Sequence, residues 1–134
     1  MGTYVSNPVK RKKSAYTTLT ANTTLTTADR GNTYLLDAVG EVITLPGVAA
    51  GLNYKFICSV TTATTDWTIV AATNVIYGSA QVAGAVVAAS AENTVTLVVA
   101  KFLPGDWVTI ESDGTNWYVE ASVVTTAGCT FTAP

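Results

Sequence analysis

Histidine is absent from the 134 residues, cysteine occurs only twice, and charged side chains make up just 12% of the chain. Each shortage removes a class of function. Without imidazole there is no Ser-His-Asp or Cys-His nucleophile pair, no histidine general base and no histidine-ligated zinc. Cys58 and Cys129, with no third cysteine, make a poor zinc site, and sequence alone does not pair them; synthesis in a cytosol favours buried free thiols. No run of about 18 apolar residues occurs, so a spanning helix is excluded, and no apolar stretch follows the basic residues near the N-terminus as it would in a secretory leader. Glycine-rich phosphate loops are missing as well. Gly40, Gly47 and Gly51 read as turn glycines with no helix after them.

What is abundant is threonine, 24 residues, within a chain that is 49% apolar. β-Branched side chains lose rotamer freedom in helices but pack well across a pleated surface, so this composition predicts an all-β protein. Length predicts a single core. Apolar runs alternate with turn signals throughout: Tyr16 to Thr27, Thr33 to Asp37, Glu41 to Leu45, Leu52 to Val60, Trp67 to Ala71, Val75 to Tyr77, Thr94 to Phe102, Trp107 to Glu111 and Asn116 to Glu120. Leu52, Tyr54, Phe56 and Cys58 fall on one face and Asn53, Lys55, Ile57 and Ser59 on the other, the period of a central strand. Asp113-Gly114 predicts a tight hairpin of type I′. Ser79 to Ala91 is open between a small-residue strand, a loop and a helical turn, and its alanines and glycines would let a backbone approach closely, as at a subunit axis. The expected architecture is an antiparallel jelly-roll-like sandwich or small barrel of about nine or ten short strands. No repeat of 20 to 50 residues stands out.

Charge divides the chain in two. Lys10, Arg11, Lys12 and Lys13 make residues 1–13 an arm of +4, while Arg30, Lys55 and Lys101 oppose all nine acids in the remainder, leaving 3 minus 9, or -6. The domain boundaries that follow are an extended basic arm over 1–15 and a β domain over 16–134. Four clustered cations attract any dense negative charge. Since no basic stripe with interleaved aromatics continues into the body, direct nucleic-acid binding is not expected. Met1 to Ser6 fits the spacing of an N-myristoylation signal, but a docking arm that orders on a partner is the preferred reading, and no membrane partner is expected.

Only carboxylates remain as catalytic candidates, and Asp29, Asp37, Asp66, Asp106 and Asp113 sit beside Gly, Thr or Asn in expected turns, where Asp accepts from neighbouring amides. No enzyme, no metal and no cofactor is expected. Trp67, Trp107 and Trp117 are the candidate surface or interface aromatics, either as packing partners or, with Tyr118, as a stacking platform for sugars.

Two stretches carry a resemblance. Gly31-Asn32-Thr33-Tyr34-Leu35-Leu36-Asp37, Val42-Ile43-Thr44-Leu45-Pro46 and Gly51-Leu52-Asn53-Tyr54-Lys55-Phe56-Ile57, then Gly105 to Gly114 (GDWVTIESDG) and Asn116-Trp117-Tyr118-Val119, resemble segments shared by small structural proteins of tailed bacteriophages. They recur in head decoration (cement) proteins and in head or tail fibre modules. The resemblance covers under half the chain. It implies a virion protein, made in the host cytoplasm, that binds the outer capsid surface as a homotrimer and cements neighbouring major capsid subunits through an N-terminal arm. Here that arm would be Tyr4, Val5, Pro8, Lys10, Arg11, Lys12, Lys13 and Tyr16. Fibre modules usually lie within much longer chains, so the short chain with its own start methionine favours decoration. The alternative is a fibre, spike or carbohydrate-binding adhesion module.

Overall fold

A computed structural model describes residues 16–134. Twelve strands run along it: β1 (Tyr16–Leu19), β2 (Thr23–Thr24), β3 (Thr33–Leu36), β4 (Val42–Thr44), β5 (Ala50–Cys58), β6 (Trp67–Val70), β7 (Ile76–Val82), β8 (Ala85–Glu92), β9 (Thr94–Leu97), β10 (Trp107–Asp113), β11 (Trp117–Val123) and β12 (Cys129–Thr132). A single 3-10 turn, Thr27–Asp29, is the one helical element described, closed by a reciprocal pair in which the Asp29 carboxylate accepts from the Thr26 backbone N–H at 2.8 Å.

The strands form two sheets, in the orders β1-β3-β5-β10-β11-β7-β8 and β12-β9-β6-β4-β2, packed into an all-β sandwich. The sandwich is as the composition predicts; the pairing is mixed rather than wholly antiparallel. β7 and β11 pair in parallel in the larger sheet, and the other parallel pairs come from the path of the first six strands, which alternate between the sheets. β1, β3 and β5 stack in parallel in one, while β2, β4 and β6 stack in parallel in the other. A chain that crosses to the opposite layer and returns must come back in the same direction, so each circuit adds one parallel strand to each sheet. Hairpins complete the fold: β7 with β8 and β10 with β11 in the larger sheet, while β9 and β12 add antiparallel neighbours in the smaller one.

Period-2 alternation sends one face of the longer strands inward. Phe56, Ile76, Ile110 and Trp117 of the large sheet meet Ile43, Trp67, Ile69, Val95 and Leu97 of the small one, all essentially without solvent contact. Fully burying side chains of this size contributes about 1.5–3 kcal/mol each. The rings of Tyr34 and Phe56 stack at 5.7 Å between centroids, and Tyr54 tilts against Trp117 at 6.0 Å. Two polar groups that enter the core are held by backbone, whereas the buried Thr62 hydroxyl has no hydrogen-bond partner among the described residues. Tyr54 donates its hydroxyl to the Thr26 carbonyl at 2.8 Å, and the Asp106 carboxylate accepts from the Leu103 and Val124 amides at 2.9 and 3.3 Å.

Two turns differ from expectation. Asp113-Gly114 does turn a hairpin, but the loop spans Gly114 to Asn116. Gly114 is its only residue at positive φ, and the Asp113 carboxylate accepts from the Thr115 and Asn116 amides at 2.9 Å each. Those bonds to the charged form hold the Asp113 carboxyl below its ordinary range. The two-residue turn with positive φ at both central positions falls instead at Ala83-Gly84, inside the segment the sequence leaves open.

Candidate functional site

Of the expected arm residues, Tyr4, Val5, Pro8, Lys10, Arg11, Lys12 and Lys13 lie outside the described residues. Tyr16 opens β1 at one edge of the large sheet, 66% exposed.

The three tryptophans do not act as a set. Trp67 and Trp117 are core residues, which corrects their reading as surface or interface aromatics; Trp67 is fully enclosed and donates its indole N–H to the Asp37 carbonyl at 3.0 Å. Alternation separates Trp107 from Trp117. In the β10–β11 register Trp107 faces Ser122 and Trp117 faces Ser112, so the two indoles leave opposite faces at opposite ends of the hairpin and are not cross-strand partners. Trp107 alone reaches the surface, half-buried, with the Lys55 ammonium 5.6 Å from its ring centre.

Around Trp107 the outward positions of the large sheet fall into cross-strand rows. One row runs Thr33, Lys55, Thr109, Glu120, Ser79, and beside it runs Leu35, Ile57, Trp107, Ser122, Gln81. A third holds Asn53, Glu111, Tyr118 and Tyr77. A cleft of about 400 Å³ opens over Asn53, Lys55, Thr109, Glu111, Tyr118 and Glu120. A second, of about 310 Å³, lies against Trp107, bounded by Ser79, Gln81, Glu120 and Ser122. Glu120 is common to both. Tyr118 is fixed in place because its hydroxyl donates to the Asp113 carboxylate at 2.8 Å.

The sequence reading places Tyr118 with the tryptophans in a possible sugar-stacking platform and counts Glu111 and Glu120 only among the acids; it does not single out Lys55. Their signal is the polar half of an alternating strand: each lies between inward apolar neighbours, as Lys55 does between Tyr54 and Phe56. Such a pattern marks a solvent face without saying which strands bring those faces together. Among the described residues no group of three or more His, Cys, Asp or Glu is placed to hold a metal ion. The face is chemically suited to hydrogen bonding and stacking on an uncharged, polar partner.

The opposite edge of the same sheet has a different character. β8 reads Ala85-Val86-Val87-Ala88-Ala89-Ser90-Ala91-Glu92, pairs only with β7, and leaves Val86 69% exposed. Comparison with protein-family models, curated proteins and solved structures gives no match.

Proposed function

We propose that the protein is a structural virion component, a capsid decoration protein whose β body associates with its own copies and whose basic arm docks on the major capsid protein at the outer capsid surface. The observation that carries this reading is the β8 edge. Natural edge strands are usually guarded by lysine, proline, a strong twist or a covering element, because bare backbone donors and acceptors recruit another strand. β8 has no Lys, Arg or Pro along its eight residues, and its exposed side chains are small or apolar. From Ala85 to Ala89, ahead of the bulge at Ser90–Ala91, the edge has none of these guards and suits a strand meant to be covered by a neighbour.

The charge split supports the second half of the reading. Residues 1–13 carry +4 while the remainder of the chain carries -6, so the cation cluster and the sparsely charged β8 edge are separate features of the chain. Exposed ion pairs contribute about 0–1 kcal/mol each, but a trimer presents three arms together, and linkage raises the effective concentration of the second and third contacts. The resemblance of residues 31–57 and 105–120 to segments of phage structural proteins is the ground for proposing the major capsid protein as the partner.

Co-sedimentation with expanded capsids tests the proposal. The full chain should pellet at a copy number near that of the major capsid subunit, and a chain lacking residues 2–14 should remain a folded oligomer in the supernatant. Normal capsid occupancy by the shortened chain would refute the role of the arm.

A further inference from the structure

We propose that the outer face of the seven-stranded sheet is a binding site for an uncharged oligosaccharide, which would lie across the clefts on either side of Glu120. This site is independent of the β8 edge and of the arm, so it stands or falls apart from the assembly proposal. Clefts that accept small ligands typically enclose about 300–1,000 Å³ and combine aromatic surface with a few placed polar groups. The two here, about 400 and 310 Å³, fall in that range and share a wall.

Three features select a saccharide. First, pyranose rings present C–H faces that stack on aromatic rings, and Trp107 offers such a ring. Lys55 steadies it from the β5 side, while Ser79 and Ser122 form a low wall on the other that leaves the indole open to a ligand. Second, sugar hydroxyls need both acceptors and donors. Glu111 and Glu120 supply carboxylate acceptors that no described side chain engages, and Asn53, Gln81 and Lys55 supply donors. Third, the charge balance argues against an anionic chain. Among the described residues of this face Glu111, Asp113 and Glu120 outnumber Lys55, so phosphate, sulfate or sialic acid groups meet net repulsion from them whereas neutral hydroxyls do not.

The spacing indicates an oligomer. Tyr118 lies opposite Glu111, four residues along β10 from Trp107, a separation of about 14 Å along the strand direction. That span far exceeds one pyranose ring. Tyr118, clamped by Asp113, provides the second stacking surface at the far end of the larger cleft.

Neutral hexasaccharides of glucose (α- and β-linked), mannose and N-acetylglucosamine are the probes, titrated by calorimetry and by tryptophan emission, with heparin as the anionic comparator. Trp67 and Trp117 are enclosed, so a blue shift on binding reports Trp107. At least one neutral hexasaccharide should bind in the micromolar to millimolar range and more tightly than heparin. Trp107→Ala should weaken it at least tenfold and Glu120→Gln at least threefold, both with unchanged urea midpoints, while Val86→Lys leaves the affinity as it was. No binding by any neutral probe, tighter binding of heparin, or equal affinity in wild type and both site variants would overturn the proposal.

Discussion

Cys58 and Cys129 are free thiols enclosed by the core, and enclosure disfavours their charged forms. Burial pushes the Cys58 thiol up to about 11, with the Asp106 carboxylate adding to the effect, and pushes Cys129 up to about 12. In the unfolded chain a thiol titrates near pH 8.5. Between that value and the folded ones the native state holds more protons than the unfolded state, so stability falls as pH rises. The stabilising contribution is complete below about pH 8.5 and is lost progressively through pH 11–12. Tyr54, raised to about 12 mainly by burial, adds the same sign of dependence above about pH 10, where a free phenol begins to ionise. Calorimetry in the presence of reductant should therefore show Tm falling from pH 8.5 upward. In a Cys58→Ala, Cys129→Ala double variant the fall should begin only near pH 10; superimposable pH profiles would show that the thiols titrate alike in both states.

Gly78 shows how one residue conditions a whole element. It sits at φ +133° in β7, where the register against β8 shifts between Ile76 and Gly78, and a Cβ there would run into the Val119 carbonyl oxygen of β11. Gly84, in the turn that follows, also has positive φ but nothing within 4 Å of its would-be Cβ. Gly78→Ala should therefore add a steric penalty to backbone strain and cost about 3 kcal/mol or more, lowering Tm by roughly 10 °C, whereas Gly84→Ala should cost about 1 kcal/mol. Equal costs would mean that β7 and β11 can part without loss. The same pair of strands marks what the sequence does and does not disclose. β5 is legible because large apolar and polar residues alternate along it, and the β10–β11 hairpin because Asp-Gly separates two such runs. β7 and β8 are not, since Gly, Ser and Ala carry little contrast between faces, and Ala83 holds a positive φ that normally advertises itself with Asn, Asp or Gly. The parallel circuits are hidden for another reason. Partners in successive circuits, Tyr16, Thr33 and Lys55, are 17 and then 22 residues apart, so coiling leaves no fixed period to detect. Trp67 and Trp117 were legible in principle, each sharing a face with an inward residue two positions on, Ile69 and Val119; Lys55, Glu111 and Glu120 come together only once the strand order is known.

At the scale of the whole molecule, the large sheet ends in two edges, the four-residue β1 and the eight-residue β8, which is without charge until Glu92. Symmetry then limits what the bare edge can do. If β8 paired with its own copy, the contact would be isologous and would close as a dimer. A trimer requires a heterologous contact, with β8 of one protomer against a different surface of the next, repeated until the ring closes. Light scattering coupled to gel filtration distinguishes the two, and the proposed decoration role predicts a mass of three chains. Val86→Lys places a charge on the exposed part of β8, far from the core contacts of Ala89, and guards the edge as natural edge strands are guarded. It should convert the trimer to monomer with a Tm measured on the isolated body reduced only by the loss of association, because a protein stabilised by assembly melts lower once its subunits part. The weakened assembly should also lower capsid occupancy, since a single arm lacks the effective concentration that three linked arms provide. A Val86→Lys protein that stays trimeric would move the interface away from β8, and a wild-type mass of two chains would replace the heterologous ring with β8–β8 pairing.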